Sequence, residues 1–198
     1  MGDFYNHGSS DILWRNDNGD VGTWEIKNGL KIGGSDLGIV PNSWHIVGVG
    51  DFNDDGTSDI LWRNDNGDLG IWELKNGLKV GGVDLGPVAT SAHVEGVGDF
   101  NHDNTSDILW RDDSGNVSLW EMQNAAVLRT IGLGNMDNTW HIADVGDYNK
   151  DGTSDILWRN DNGDVKTWEM QNGVLLGTTD LGIVGPSWHI DGNHFVLV

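Results

Sequence analysis

Short runs of apolar residues alternate with turns rich in asparagine and glycine along the whole chain, and no stretch shows the longer period of an amphipathic helix. In the second quarter of the chain this pattern predicts four strands, at residues 45–50, 59–63, 69–74 and 78–85. Residues 64–67 and 76–77 separate the last three strands and each contain Asn-Gly, a pair that tolerates the positive φ of tight hairpins. The pattern therefore predicts antiparallel strands joined by short turns.

The four-strand pattern returns every 48 residues, so one supersecondary unit is repeated four times. Ile-Leu-Trp-Arg occurs at residues 12–15, 60–63, 108–111 and 156–159, and Trp-Glu follows at the same offset each time. A repeated unit of four antiparallel strands and about 40 to 50 residues is typical of a β-propeller blade. We therefore predict an all-β fold, a β-propeller of four four-stranded antiparallel blades, in a single domain that spans residues 1–198.

The two ends of the chain complement each other within the repeat. The chain begins in the loop of one repeat and ends near Trp188, His189 and Ile190, which match the strand that precedes this loop elsewhere. We expect the N- and C-terminal strands to close one blade, which leaves no free sheet edge. Three arrangements stay open: four blades closed by one chain, an eight-bladed ring formed by a homodimer, and part of a larger propeller. Because the repeat starts within the first three residues, we expect a mature or excised portion of a longer protein.

An aspartate-rich nonapeptide recurs in each repeat, at residues 3–11, 51–59, 99–107 and 147–155. In the second copy, positions 1, 3, 5 and 9 carry side-chain oxygens, position 7 offers a backbone carbonyl, and Gly56 permits the turn. Calcium takes about six to eight oxygen ligands, and alternate residues of a tight loop can converge on it. We therefore predict about three structural Ca²⁺ ions per chain. The predicted ligands are Asp51, Asn53, Asp55, Thr57 and Asp59; Asp99, Asn101, Asp103, Thr105 and Asp107; Asp147, Asn149, Asp151, Thr153 and Asp155.

The first copy departs from this pattern. Tyr5 and His7 stand where the intact copies have asparagine and aspartate, so we predict no calcium there. The third copy has Asn104 at the glycine position, a residue that tolerates left-handed geometry. An EF-hand is excluded, because it requires a glutamate at position 12 and flanking helices, whereas position 12 is a tryptophan within a β-type run.

The segments at residues 50–62, 98–110 and 146–158 follow the string Gly-Asp-Phe-Asn-x-Asp-Gly-x-x-Asp-Ile-Leu-Trp, with Tyr148 replacing phenylalanine and Asn104 replacing glycine. This string resembles the FG-GAP or VCBS-type repeat of integrin-like β-propellers. The resemblance implies calcium in hairpin loops between the inner two strands of a blade. It also implies an extracellular or cell-surface protein that binds glycans or other proteins, and members are sometimes attached to enzymes.

The net charge of the chain limits the classes of partner that it can bind. With 31 acidic and 11 basic residues the formal net charge is −20, which argues against nucleic acid and anionic membranes, since both attract cationic surfaces. No apolar run is long enough to span a membrane, so we predict no membrane insertion. The absence of cysteine excludes disulfides and thiolate metal sites.

Tryptophan is the candidate for ligand contact, because an indole face can stack on the apolar face of a sugar ring. Most of the eleven tryptophans are expected to pack between blades. The set beside glutamate at strand ends is expected to be the most exposed and is the candidate glycan-binding set: Trp24, Trp72, Trp120 and Trp168.

Two further series share one position in each repeat. The histidines could hydrogen-bond between blades or bind a transition metal together. They are His45, His93, His141 and His189. The Arg15 and Glu25 series is expected to form ion pairs across the hairpin. No nucleophile or acid–base pair stands apart from the repeat, so no catalytic residue is predicted.

These features predict a non-enzymatic, calcium-binding β-propeller that recognises a carbohydrate in an extracellular or cell-surface setting. The alternatives are an extracellular protein-interaction or adhesion module, and an accessory domain of a secreted enzyme.

Overall fold

The computed structural model describes residues 2–185 and 187–190, and the regular elements within these ranges are fifteen β-strands in four antiparallel sheets. The first sheet holds β1 (Ile12–Arg15), β2 (Asp20–Lys27) and β3 (Leu30–Ile39). The second holds β4 (Trp44–Gly50), β5 (Asp59–Asn64), β6 (Asp68–Lys75) and β7 (Leu78–Pro87). The third holds β8 (Ala92–Gly98), β9 (Asp107–Asp112), β10 (Asn116–Gln123) and β11 (Ala126–Asn135). The fourth holds β12 (Trp140–Gly146), β13 (Asp155–Asn160), β14 (Asp164–Gln171) and β15 (Val174–Ile183).

Each sheet is a meander in which strands that are consecutive in sequence lie side by side. The predicted all-β fold is confirmed, and the sheets are blades of a β-propeller, numbered one to four here in chain order. In the second blade every predicted strand forms, with ends that differ by at most two residues from the prediction. Among the described residues no helix is long and apolar enough to cross a membrane.

The chain divides into two compact units. One contains the residues up to Thr90 together with Gln123–Ala126, and the other contains Ser91–Met122 together with the residues from Val127 onward. The first and second blades thus belong to the first unit, and the fourth blade and most of the third belong to the second unit. A single domain over the whole chain stays a prediction.

Turn chemistry sets the ends of the strands. Asn76 and Gly77, between β6 and β7, both have positive φ, at 50° and 71°, as a two-residue primed hairpin requires. In the turn between β5 and β6 the prediction was wrong in detail, because Gly67 has positive φ and Asn66 does not. There the Asn64 side chain accepts a hydrogen bond from the Asn66 backbone N–H at 3.2 Å, which closes the turn with the asparagine outside the left-handed region.

Three of the four Ile-Leu-Trp strands, β5, β9 and β13, are buried on both faces. In β5, Ile60 and Leu61 are fully buried and Trp62 is 2% exposed, which is why this strand is continuously apolar rather than alternating. Each unit has its own core around such strands. The core of the first unit contains Phe4, Val21, Val40, Ile46, Ile60, Trp62 and Leu74. The core of the second contains Phe100, Leu109, Val117, Leu119, Leu133, Ile142, Ile156, Trp158, Trp168 and Met170.

The first sheet has three strands, with β1 at one edge. Beyond that edge, the described part of the chain forms only an isolated antiparallel bridge between Gly2 and Asp11. The strand expected from the C-terminal segment is not formed at Trp188, His189 and Ile190, and residues 191–198 lie outside the described residues. Trp188 instead donates a backbone hydrogen bond to Gly185 in a turn, at 2.9 Å. Closure of the first blade by the two chain ends therefore stays a prediction.

Candidate metal-binding loops

The four aspartate loops share one backbone shape. Positions 4 and 6 lie in the left-handed region in every copy, including the first, which lacks the calcium pattern. Asn104 adopts this conformation in the third loop, as predicted. The φ values at position 4 are 53°, 58°, 65° and 64° for Asn6, Asp54, His102 and Lys150. Those at position 6 are 78°, 80°, 67° and 89° for Gly8, Gly56, Asn104 and Gly152.

The side chain of the aspartate at position 1 holds the loop together by accepting hydrogen bonds from backbone N–H groups of the loop. In the second loop the Asp51 carboxylate accepts hydrogen bonds from the backbone N–H groups of Asp55 at 3.2 Å and Gly56 at 2.8 Å. Asp3 does the same in the first loop, with His7 at 3.1 Å and Gly8 at 2.7 Å. The residue therefore orders the turn, a role that the sequence analysis did not identify.

The aspartate at position 9 is buried and joins the loop to the next strands. In the second loop Asp59 accepts hydrogen bonds from the backbone N–H groups of Phe52 at 3.1 Å and Leu74 at 2.9 Å. Burial raises the pKa of Asp59 to about 7, and the nearby carboxylates of Asp51 and Asp55 add to the increase. A buried acid in this position is stabilised either by a proton or by a neighbouring cation.

The third and fourth loops repeat this electrostatic arrangement. Burial raises the pKa of Asp107 to about 7, with Asp103 and Glu121 contributing. Burial also raises the pKa of Asp155, again with the carboxylates at positions 1 and 5 of its loop as contributors. In each intact loop the carboxylate at position 5 thus acts electrostatically on the buried aspartate at position 9, although among the described residues the carboxylates of these loops do not form a group of three within 4.8 Å.

Position 7 anchors the loop to the neighbouring strand of its own blade. The hydroxyl of Thr57, which is almost fully buried, lies 2.6 Å from the backbone oxygen of Leu74 and also contacts the Asp55 carboxylate. Thr105 and Thr153 make the corresponding contacts with Met122 at 2.9 Å and Met170 at 2.7 Å. From the sequence, only the backbone carbonyl of these threonines was expected to have a role.

The donor chemistry of the three intact loops fits calcium. Each offers three carboxylates, one amide and one backbone carbonyl, all of them hard oxygen donors, and a dication would offset the clustered negative charge. The two carboxylates that raise the pKa of Asp59 show that this charge is concentrated around a buried group. Asp51, Asn53, Asp55, Thr57 and Asp59, and their equivalents in the third and fourth loops, would hold the ion.

The first loop does not fit calcium. The Tyr5 hydroxyl is directed to Thr23 and Ser35, at 3.1 and 3.2 Å, and position 5 is an imidazole. Among the described residues, however, Asp3, His7 and Asp11 form the only group of at least three acidic or histidine side chains whose ligand atoms lie within 4.8 Å of one another.

The loops also link neighbouring blades within each unit. In the first unit, Ser58 and Gly77 of the second blade donate backbone hydrogen bonds to Asp3 and Phe4 of the first loop, at 2.8 and 2.7 Å. In the second unit, Ser154 and Gly173 bond in the same way to Asp99 and Phe100, at 2.7 and 2.9 Å. Order in a loop is therefore transmitted to the packing of one blade on the next.

The tryptophans expected to be exposed differ from one another. Trp24 is 39% exposed, and Trp72 and Trp120 are half-buried, but Trp168 is 5% exposed and lies in the core of the second unit. The prediction of an exposed Trp168 is wrong, because this side chain packs in one cluster with Leu133 of the third blade.

Two exposed tryptophans lie together on the first blade, and one of them, Trp14, was not predicted to be exposed. Trp14 is 47% exposed, and its ring lies 4.7 Å from that of Trp24, centroid to centroid. The Lys31 ammonium lies 4.0 Å from the centre of the Trp24 ring. With Asp20 and Asp36 these residues line an open cleft of about 830 Å³, which we call the first-blade cleft. Trp14 has the same position as the buried Trp62, so its sequence gave no signal of exposure.

The histidine and arginine series have structural contacts. His45, His93 and His141 bond to aspartates of their own blades at 2.7, 2.8 and 2.8 Å, and not between blades as considered above. The Arg15 guanidinium donates to the backbone oxygens of Trp44 and Pro41, so the expected Arg15–Glu25 ion pair is wrong. Arg15 thus binds the crossover that leads from the first blade to the second.

The repeat that contains these loops can be compared with known families. Residues 99–158, from the start of the third loop to the tryptophan of β13, match the family model described as FG-GAP-like repeat. This segment is similar to an FG-GAP-like repeat. The resemblance of the motif to that family is confirmed, and the FG-GAP-like repeat includes two of the three predicted calcium loops.

No curated protein matches the chain. Among solved structures it is similar to the Tc holotoxin pore of Photorhabdus luminescens, with a TM-score of 0.57, 14% identity, and coverage of 96% of this chain and 10% of that chain. It is also similar to the C-terminal WD40 domain of Sif2, with a TM-score of 0.45, 17% identity and coverage of 90% and 57%. A third similar structure is the dihydro-heme d1 dehydrogenase NirN in complex with DHE, with a TM-score of 0.49, 11% identity, and coverage of 87% of this chain and 35% of that chain. The chain spans about a tenth of the toxin chain, and that likeness shows the fold alone.

The raised pKa values predict how stability depends on pH when calcium is removed. Between the ordinary aspartate pKa of 3.8 and about 7, folded Asp59 retains a proton that the unfolded chain releases. In chelator the free energy of unfolding is therefore expected to fall as pH rises through this window. Urea unfolding followed by tryptophan fluorescence at several pH values measures it. Asp59→Asn should reduce the change of the unfolding free energy with pH, and Asp17→Asn, at an exposed turn, should retain it. Equal pH dependence in the two variants would contradict the raised pKa of Asp59.

Proposed function

We propose that this propeller repeat module is a non-enzymatic, calcium-stabilised recognition protein that binds a carbohydrate outside the cell. The observation that supports the calcium part is the buried aspartate at position 9 of the second, third and fourth loops, whose pKa is raised by burial and further by nearby carboxylates. Calcium held there is structural, because each loop is bonded to the strands of its own blade.

Calcium supports recognition indirectly, by fixing the loops through which blades are joined. The Asp99 and Phe100 backbone oxygens of the third loop accept hydrogen bonds from the fourth blade. An ion that orders the third loop therefore restricts movement between these two blades. A rigid surface loses less conformational entropy when it binds a ligand.

The first-blade cleft is the proposed carbohydrate site. Trp14 and Trp24 supply exposed indole surface, on which the apolar face of a sugar ring can stack. Asp20 and Asp36 line the same cleft and supply acceptors for sugar hydroxyls. Since Trp168 is buried, the proposal is for this one site and not for four equivalent sites.

A glycan array in calcium tests the carbohydrate proposal. We expect a specific hit, and Trp14→Ala is expected to weaken its binding by about tenfold or more, the effect of losing a central aromatic contact. Trp188→Ala removes an exposed tryptophan of the second unit, 69% exposed, and is expected to leave binding unchanged. No hit from a folded sample in calcium, or equal binding by the two variants, would contradict the proposal.

One observation favours a protein-interaction or adhesion module as the second candidate. The residues equivalent to Trp14 in the other blades, Trp62, Trp110 and Trp158, are 2%, 3% and 0% exposed. This position is therefore a packing position in the rest of the chain, and the first-blade cleft could receive another protein surface, including a second copy. Light scattering of the array sample tests the case of a second copy, since a copy bound there doubles the mass from 21.6 kDa. An accessory role beside a secreted enzyme is compatible with either ligand.

A further inference from the structure

The first loop places one imidazole among three carboxylates. His7 Nε2 lies 3.5 Å from an Asp11 carboxylate oxygen and 3.9 Å from one of Glu25, and His7 Nδ1 lies 3.7 Å from one of Asp3. Asp11 is fully buried, and the His7 side chain is 12% exposed. This cluster takes the place of the oxygen ligands that the other loops provide.

Hydrogen bonding determines which histidine nitrogen carries a proton. The Ser9 hydroxyl donates to the backbone oxygen of Ile26 at 2.9 Å and lies 2.9 Å from His7 Nδ1. Because a hydroxyl has one proton, Ser9 can only accept from the ring, so Nδ1 carries the hydrogen. In a neutral ring Nε2 then presents its lone pair to the carboxylates of Asp11 and Glu25.

That lone pair and the carboxylates around it favour a cation between them. Nε2 is buried without a hydrogen-bond partner, and ionised carboxylates can accept hydrogen bonds but cannot donate them. Facing lone pairs repel each other unless a proton or a metal ion lies between them. A metal-binding histidine typically donates its other ring N–H to an oxygen, as the Nδ1 to Ser9 contact does.

We propose that Asp3, His7, Asp11 and Glu25 bind one divalent transition-metal ion of the zinc class, with His7 Nε2 as its nitrogen ligand. Zinc accepts imidazole and carboxylate together, whereas calcium takes oxygen ligands. Two ligands about 2.0 Å from a tetrahedral zinc lie roughly 3.3 Å apart, close to the 3.5 Å between Nε2 and Asp11, whereas Glu25 at 3.9 Å would have to move slightly toward the ion. The loop thus exchanges calcium for a different metal and retains its backbone shape.

The carboxylates are held before the metal arrives. Asp11 accepts backbone hydrogen bonds from Phe4 at 2.9 Å and Ile26 at 2.8 Å, and Asp3 is held by its own loop. Glu25 also differs from its equivalents in the second unit. There Glu121 pairs with Arg129, and Glu169 accepts from the Thr179 hydroxyl at 2.6 Å.

A titration of the chelator-treated chain with zinc chloride, in excess calcium, tests the proposal by calorimetry. We expect one tight site per chain that calcium does not displace, and a visible absorption band when cobalt(II) replaces zinc. His7→Asn is expected to weaken zinc binding by about a hundredfold or more. His102→Asn, which changes a histidine of the third loop, is the matched control and should bind as the wild type does.

A second variant covers the case in which His7→Asn does not fold. Glu25→Gln leaves the imidazole in place and is expected to weaken zinc binding by about tenfold. Equal binding by wild type and both variants, or no cobalt band in the wild type, would overturn the proposal. A proton would then be the cation, and ¹⁵N shifts of an imidazolium ring at His7 would show it.

Discussion

Excess calcium is expected to raise the free energy of unfolding by up to about 8 kcal/mol. A ligand that binds only the folded state contributes about 2.7 kcal/mol at a hundred times its dissociation constant, and three loops are proposed to bind. For a chain of this length an increase of that size raises the thermal midpoint by roughly 15 to 30 °C. Thermal unfolding in calcium and in chelator, followed by tryptophan fluorescence, measures the difference.

A variant of one loop shows whether the intact loops cause this effect. Asp103→Asn replaces a carboxylate at position 5 of the third loop and should remove about a third of the calcium-dependent increase. Asp17→Asn, at an exposed turn, makes the same chemical change outside the loops and should retain all of it. An unfolding midpoint that is the same in calcium and chelator would contradict the proposed sites.

Phe100→Ala is expected to destabilise the chain by about 3 to 5 kcal/mol, the usual cost of removing a buried phenylalanine. Phe100 stands at position 2 of the third loop, is fully buried and belongs to the cluster that contains Trp158 and Met170 of the fourth blade. Its loss opens a cavity where the two blades meet. Urea unfolding in calcium gives the free energy.

Tyr148→Ala is the matched control, because Tyr148 has the same position in the fourth loop but is 46% exposed. We expect it to cost less than about 1 kcal/mol. Similar losses in the two variants would show that position 2 does not stabilise the chain through packing on a neighbouring blade. If Phe100→Ala does not fold, Phe100→Leu provides a smaller cavity and a measurable loss.

The strands could be predicted from the sequence because their signals are local. Alternating apolar runs, Asn-Gly turns and the fixed period are properties of each repeat alone, and the observed strands of the second blade confirm them. The left-handed conformation of Asn104 was predictable for the same reason. What could not be predicted depends on neighbouring elements.

The tryptophans show this limit most clearly. Trp14 and Trp62 occupy identical positions in identical Ile-Leu-Trp-Arg segments, yet one is 47% and the other 2% exposed. The difference arises from the elements that pack against each blade, and the sequence of a repeat does not specify those elements. Trp24 and Trp168 differ in the same way, at 39% and 5%.

The loops show a second limit. Asp3 and Asp11 persist in the first copy although its calcium pattern is lost. The structure gives the reason, because both accept backbone hydrogen bonds that the loop needs with or without a metal. Spacing alone could not distinguish an aspartate that orders a turn from one that binds an ion. The proton on His7 likewise depends on Ser9 and Ile26, which are distant from each other in sequence.

Calorimetric titration of the chelator-treated chain with calcium counts the bound ions directly, without reference to stability. Three calcium sites per chain are expected, and two after Asp103→Asn. Absence of bound calcium, or an unchanged count in that variant, would contradict the proposed calcium sites.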